Sequence, residues 1–307
     1  MNPLRGQLAD YLAIRRALGY RLERAEKLLA QFVSYLEDLG EDRLTTTHAL
    51  SWAKGTAGSH GWWSKRLSVV RGFAAYLQTI DAATEVPAAD LLPWRPRRAT
   101  PYLYSEAQMA ALAQAAGSLS TLHRAATYRT LVGTLAVTGM RVGEAIALDR
   151  SDIDRPASLI LIREAKFGKS RELPLQPSAL QALHRYLRRR DRPRAQDPTD
   201  AVFVSTAGTR LLYSNVQVTF RQMVRRAGIE PRSAACRPRL HDLRHSFAVR
   251  TLIDAYRDEG DVGVRLALLS TYLGHVDPGK TYWYLSAAPE LLGLAGARLE
   301  RHLGGRK

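Results

Sequence analysis

The chain has 307 residues, enough for two domains or one large one, and its 46% hydrophobic content supports a proper core. The lone Cys236 excludes an intrachain disulfide framework. With neither a signal-peptide pattern nor an apolar run longer than Leu131 to Val137, the expectation is a cytoplasmic protein with no membrane partner. The net charge of +16 is uneven, with 11 Lys/Arg against 10 Asp/Glu in residues 1–92 but 34 against 19 in residues 93–307. An excess of that size implies a polyanionic partner, most commonly nucleic acid, although a ribosome- or lipid-facing surface also fits charge alone.

The first ninety residues read as four helices. Leu4, Leu8, Tyr11, Leu12 and Leu18 recur at helical spacing, as do Leu28, Leu29, Phe32, Leu36 and Leu39. A short helix follows Thr47, and a longer one runs from Ser59 to Gln78 with Trp63, Leu67, Val70, Ala74 and Leu77 on one stripe. Lys65, Arg66 and Arg71 lie off that stripe, on a face that suits either phosphate or solvent. Pro87 to Pro101 holds four prolines and the run Trp94-Arg95-Pro96-Arg97-Arg98, which reads as an extended basic linker.

A second domain opens with the capping box Ser105-x-x-Gln108, and a helix from about Leu122 to Val137 stops at Gly139. Leu159 to Ile162 reads as a buried strand and Arg171 to Leu175 as its partner, with a turn at Phe167-Gly168-Lys169. Ala201 to Ser205 is a candidate third strand. Helices resume from Asn215 and end in Pro289 to Leu303, where Leu291, Leu292, Ala295, Leu299 and Leu303 form an apolar stripe. The stretch Arg257 to Val264, acidic and glycine-containing, reads as a loop. Arg185, Arg188, Arg189, Arg190, Arg192 and Arg194 form the densest basic cluster, which fits a solvated helix end as well as a DNA contact.

Four short motifs carry the chemistry. Thr138-Gly139-Met140-Arg141-Val142-Gly143-Glu144 places a guanidinium at a helix start, with Glu144 one turn on to orient it. In Leu240-His241-Asp242-Leu243-Arg244-His245-Ser246-Phe247-Ala248, His241 and Arg244 are three apart and share a helix face. His275 follows in Leu273-Gly274-His275, and Tyr284 lies nine residues beyond it. Phosphodiester cleavage without a metal needs a nucleophile, cationic donors for the non-bridging oxygens and an acid for the leaving alkoxide. The chain offers those groups but no clustered set of acidic metal ligands, so the expectation is covalent chemistry with no cofactor and no metal.

These motifs, in this order, resemble the tyrosine recombinase (phage integrase) family over roughly Ser105 to Leu292. The resemblance implies a mainly α protein with a small antiparallel β-sheet. An N-terminal helical, DNA-binding domain over 1–90 would join a mixed α/β catalytic domain over 102–307 through the basic linker 91–101, as two halves of a C-shaped clamp. Arg141 and Arg244 would clamp the phosphate, with His241 as hydrogen-bond donor or proton shuttle and His275 as a second donor. Tyr284 would be the nucleophile, with Tyr282 and Tyr272 as rivals by position. His245 would be structural support. In Lys166-Phe167-Gly168-Lys169-Ser170-Arg171-Glu172-Leu173-Pro174-Leu175, Lys166 occupies the general-acid position and Lys169 competes for it; Phe167 stands where most relatives have a small residue. The implied activity is site-specific recombination of double-stranded DNA through a 3′-phosphotyrosyl link and a four-way junction. The protein would be a monomer assembling as a homo- or hetero-tetramer on two DNA sites, in the manner of recombinases carried on bacterial mobile elements. A type IB topoisomerase-like activity and a non-catalytic DNA-binding relative are the alternatives.

Overall fold

The computed structural model describes residues 3–304 except 21, 93–98, 164–169, 190, 194–198, 259, 276, 278 and 287; the side chains of 280, 283, 286 and 302–304 also lie outside the description. The chain forms two compact units, Met1–Arg98 and Ala99–Lys307. The linker arginines Arg95, Arg97 and Arg98, the hairpin lysines Lys166 and Lys169, and the cluster members Arg190 and Arg194 are outside the described residues.

The first unit is built from α1 (Pro3–Ala17), α2 (Glu23–Asp38), α3 (Thr46–Lys54) and α4 (His60–Gln78). Their apolar stripes meet in one core where Leu29, Phe32, Leu36, Leu67, Val70 and Phe73 are buried. Burial of such faces, at about 25 cal/mol per Å² of apolar surface, holds short helices together that would be marginal alone. Thr45 caps α3 by accepting a hydrogen bond from the His48 amide. Three expected core residues fall outside it: Leu18 and Leu39 are exposed because α1 stops at Ala17 and α2 at Asp38, and Trp63 is only half-buried, with its indole N–H donating to the Thr56 carbonyl while Trp62 packs on the core instead. Arg66 departs in the opposite sense. It is buried, donating to the Trp52 carbonyl at 2.7 Å with its guanidinium 3.7 Å over the Trp52 ring, so it braces α3 against α4. Arg71 likewise donates to the carbonyls of Pro87 and Ala88, tying down the chain after α4.

In the second unit, α5 (Glu106–Gly117), α6 (Leu122–Thr138) and α7 (Val142–Ala147) precede a three-stranded antiparallel sheet of β1 (Ile153–Asp154), β2 (Leu159–Ile162) and β3 (Arg171–Pro174). The capping box at Ser105 and Gln108 forms in both directions, and α6 ends on Gly139 in the left-handed conformation. Then come α8 (Pro177–Leu187), α9 (Tyr213–Arg226), α10 (Asp242–Arg257), α11 (Val262–Leu273), α12 (Gly279–Ser286) and α13 (Pro289–Gly304). The central α6 packs against α5, α8 and α10. In the sheet Ile160 pairs with Leu173, and both point into the core.

Two local readings are corrected. Ala201 to Ser205 is not a strand, although Ala201 to Val204 is buried. Arg192 takes the carbonyls of Ala201 and Val202 at 2.6 and 2.8 Å, leaving only isolated bridges from Asp149 to Ala201 and from Val204 to Arg210. The third strand is β1 instead. The loop expected over Arg257 to Val264 is shorter, because the Asp261 carboxylate caps α11 by accepting from the Gly263 and Val264 amides. The terminal stripe divides. Leu291 is buried in a cluster with Leu252, Leu269, Leu273 and Tyr284, whereas Leu292 and Leu299 are exposed, and the Leu303 side chain is outside the description. No helix among the described residues is long and apolar enough to cross a membrane.

Candidate active site

The site is assembled where helices end. Gly139 closes α6 at φ 59°, and a Cβ there would lie 2.4 Å from Cδ1 of Phe247, so only glycine fits between α6 and α10. Two residues on, Arg141 occupies the N-cap of α7. Its amide donates to Glu144 Oε2 at 2.8 Å and its Nη1 to Glu144 Oε1 at 2.7 Å. Its Nη2 reaches across 133 residues of sequence to the Gly274 carbonyl at 3.2 Å.

Arg244, on the first turn of α10, is 2% exposed. It is held by the mirror arrangement: Nη1 donates to the Gly139 carbonyl at 2.8 Å and Nη2 to the Leu273 carbonyl at 2.7 Å. Arg244 thus sits on carbonyls at the C-terminal ends of α6 and α11, and Arg141 on one at the end of α11, where the helix dipole favours a cation. Burial lowers the Arg244 pKa to about 10, helped by the neighbouring charge of Arg141, which leaves it cationic at neutral pH.

Arg244 gathers the last two motifs. Its Nη2 also donates to His275 Nε2 at 3.0 Å, and its charge acts on the Tyr284 phenol. The Tyr284 phenol is 2% exposed. Burial raises its pKa, and the charge and hydrogen bond of Arg244 work against that rise. The Tyr284 ring lies 6.1 Å from the His275 ring and 5.4 Å from the His245 ring, centroid to centroid. Of its rivals, Tyr282 is exposed and Tyr272 stacks on Phe247 with its phenol pushed up to about 12, mainly by burial.

His241 stands at the N-cap of α10, and its ring meets that of His245 edge to face at 4.8 Å. It keeps a solvent-exposed side, yet protein crowds the ring. Desolvation, followed by the charges of Arg244, Arg239 and Arg141, pushes its pKa down to about 4. It is therefore neutral at pH 7, able to donate from one nitrogen and accept at the other. His245 is pushed lower, to about 3, mainly by desolvation and then by His241. Beneath them the fully buried Asp242 accepts from Nε and Nη2 of Arg239 at 3.0 and 2.8 Å, fixing the start of α10.

Arg141, His241, Arg244, His275 and Tyr284 are thus brought together, while Lys166 lies outside the described residues. Two further residues belong to the site. Thr281 is fully buried, with Oγ1 2.7 Å from His275 Nδ1. Arg171 donates from Nη1 and Nη2 to the two oxygens of Glu144 at 3.1 and 2.8 Å, and from Nε to the Tyr272 carbonyl at 2.9 Å. The sequence marked Arg171 as the arginine of the hairpin motif and the first residue of a strand, without a role in the site. The one signal for Thr281 was its position a helical turn before Tyr284. Within the basic cluster, Arg192 is spent on main-chain carbonyls and Arg189 pairs with Asp191. Among the described residues no three His, Cys, Asp or Glu are grouped as a metal ion would require.

The chain as a whole has known relatives. Residues 104–290 match the model of the Phage integrase family. The chain is 40% identical to the putative integrase/recombinase y4rB of Sinorhizobium fredii, over 98% of both chains. It is 32% identical to the tyrosine recombinase XerD of Mycobacterium tuberculosis, covering 72% of this chain and 68% of that one. A solved lambda integrase tetramer bound to a Holliday junction shares the fold, with a TM-score of 0.61 at 18% identity over 92% of this chain and 76% of that one. The protein belongs to the phage integrase family, the tyrosine recombinases.

Proposed function

We propose that the protein is a site-specific DNA recombinase that cuts and rejoins duplex DNA through Tyr284. The observation that carries this reading is that the buried Arg244 donates to His275 at 3.0 Å, and the Tyr284 ring lies 6.1 Å from that same imidazole. Arg141 and Arg244 hold the non-bridging oxygens of the scissile phosphate, and His275 donates to one of them once its proton moves from Nδ1 to Nε2. The Tyr284 Oη attacks phosphorus as its proton leaves to a neutral base, for which His241 is suited. The bond to the 5′-oxygen breaks, and Lys166 protonates the departing alkoxide. The product is a 3′-phosphotyrosyl link and a free 5′-hydroxyl. A 5′-hydroxyl from the partner duplex then attacks the same phosphorus and displaces Tyr284, and a second round resolves the four-way junction. Each step exchanges one phosphoester for another, so no cofactor is consumed. Since the Tyr284 phenol is buried in this state, α12 must shift for attack to occur.

The partner is double-stranded DNA, to which the charge of residues 93–307 is matched. We assign residues 1–90 to DNA binding, 91–101 to a basic linker and 102–307 to catalysis. The protein is a monomer in solution and assembles as a tetramer on two sites, as lambda integrase does on its junction. Topoisomerase-like relaxation is disfavoured by the full-length likeness to an integrase/recombinase. The test uses a nicked duplex carrying the site selected by binding from a random pool, so that the cleaved end diffuses away and traps the covalent adduct. Wild type forms the adduct; Tyr284→Phe binds the same DNA and forms none. An adduct persisting in Tyr284→Phe but lost in Tyr282→Phe overturns the assignment.

A further inference from the structure

Glu144 is a single carboxylate between two guanidiniums. Its Oε1 accepts from Arg141 Nη1 at 2.7 Å and Arg171 Nη1 at 3.1 Å, and its Oε2 accepts from the Arg141 amide and Arg171 Nη2, both at 2.8 Å. The Glu144 and Arg171 side chains are 8% and 13% exposed, so solvent screens them little. Burial opposes the ionisation of Glu144, but the Arg171 and Arg141 hydrogen bonds outweigh it and hold the carboxyl below its usual range. The negative charge is therefore permanent at working pH, beside the arginine that must present positive charge to a phosphate.

We propose that Arg171 is the positioning residue of the Arg141 clamp: by engaging both oxygens of Glu144 it keeps that carboxylate from cancelling the charge Arg141 presents to the scissile phosphate. The inference rests on the recombinase reading above. With Arg171 present the group of three carries one net positive charge; without it Arg141 and Glu144 form a neutral pair. The fork geometry is what a guanidinium provides and an ammonium does not. Arg171 also pins the turn that Arg141 touches. Its Nε donates to the Tyr272 carbonyl, and its guanidinium lies flat against Gly274. A Cβ there would meet Nη1, Cζ and Nε of Arg171 at 3.1, 3.3 and 3.3 Å. One side chain at the start of β3 thus joins the N-terminus of α7 to the C-terminus of α11, and the Gly274 carbonyl it stacks beside is the one that receives Arg141 Nη2.

The electrostatic role has a signature that a merely structural one lacks. Single-turnover cleavage is measured on two nicked duplexes, one with the ordinary phosphodiester and one with an uncharged methylphosphonate at the scissile position. Arg171→Gln slows the phosphodiester by roughly 10- to 100-fold, the range seen when a partner orienting an active-site group is removed. It slows the methylphosphonate by no more than a few-fold, because that substrate has no charge to neutralise. Adding Glu144→Gln recovers most of the lost phosphodiester rate, since the uncompensated carboxylate is gone. Arg171→Lys, which keeps charge without the fork, falls between wild type and Arg171→Gln. Comparing two substrates on one preparation cancels any unfolded fraction. Equal losses on both substrates, or a double variant slower than the single, overturn the proposal. So does rescue of Arg171→Gln by a 5′-bridging sulfur, which would place its effect on the Lys166 hairpin. If wild type yields no adduct on either duplex, the recombinase reading has failed; if it does and the variant keeps the wild-type substrate ratio, only the Arg171 inference has.

Discussion

Arg244 and His275 share a 3.0 Å hydrogen bond in which the guanidinium must be the donor, so His275 Nε2 accepts and its proton sits on Nδ1. The ring passes that proton toward Thr281 Oγ1 at 2.7 Å. Arginine thereby selects the tautomer of the histidine, and threonine holds its orientation. Nitrogen NMR of the free protein should show His275 protonated on Nδ1. Thr281→Val should keep that tautomer, because Arg244 still donates to Nε2, yet loosen the ring and slow cleavage by roughly 10-fold, the lower end for removal of an orienting partner. Loss of the Nδ1 tautomer in the valine variant would show that Thr281, not Arg244, sets it.

The two lysines of the hairpin separate by leaving group. Lys166→Ala removes the proposed proton donor, so cleavage of a normal 5′-oxygen should fall by roughly 10²- to 10⁴-fold. A 5′-bridging sulfur departs without protonation and should restore most of that rate. The same rescue seen for Lys169→Ala, and not for Lys166→Ala, would move the acid three residues along.

Acid should weaken the fold through the histidine pair. His241 and His245 titrate near 4 and 3 in the folded protein against an ordinary 6.5. Above pH 6.5 both are neutral whether folded or not and contribute nothing. As pH falls through that value the unfolded chain takes up protons the folded one refuses, and stability declines by at most about 1.4 kcal/mol per unit for each imidazole. Asp242, whose carboxyl burial raises, acts in the opposite direction, which makes the difference from a variant the useful measure. Thermal melts of His245→Asn should fall less steeply than wild type between pH 6.5 and 4. Parallel slopes would mean that His245 ionises freely in the fold.

Glycines in and at the end of α6 should respond in opposite ways. At Gly139, Ala meets both a left-handed backbone and the Phe247 ring, a cost of about 2–4 kcal/mol. At Gly133, inside the same helix, a Cβ meets nothing within 4 Å, so Ala should stabilise by about 0.5–1 kcal/mol. Urea midpoints report both, and a stable Gly139→Ala would show that Phe247 turns aside freely.

The last helix divides folding from assembly. Leu291 is 1% exposed, and Leu291→Ala should cost about 2–4 kcal/mol in the free protein. Leu292 and Leu299, 56% and 58% exposed, contribute little there, and Leu292→Glu with Leu299→Glu should leave the melting temperature nearly unchanged. If α13 reaches a neighbouring protomer, as the recombinase reading expects, that pair should abolish cooperative binding to two sites. Unaltered cooperativity would leave α13 to its own core.

Local signals in the sequence marked the elements well where one residue decides the outcome. The box at Ser105 and Gln108, the stop at Gly139 and the pairing of β2 with β3 follow from local chemistry. What escaped depended on distant partners. Arg66 looked like a surface cation until Trp52 supplied a ring and a carbonyl, and Ala201 to Val204 looked like a strand until Arg192 took its acceptors. The site divides in the same way. The arginines and histidines stood out because their motifs resemble the family's, but Arg244 reaches its Gly139 carbonyl across 105 positions and Arg171 reaches Glu144 across 27. No periodicity records such pairs.

The carbonyls of Gly139, Leu273 and Gly274 give the clamp a resting place, and that sets its grip on DNA. Neither arginine waits bare for a ligand. Each spends part of its fork on the fold, so a phosphate meets only the N–H groups left over and is held less tightly than by an unengaged guanidinium. Tight binding would strand the enzyme on its product. A hand already on one rail closes only partly on a second and releases it readily, and a reaction that runs on exchanging strands depends on that release.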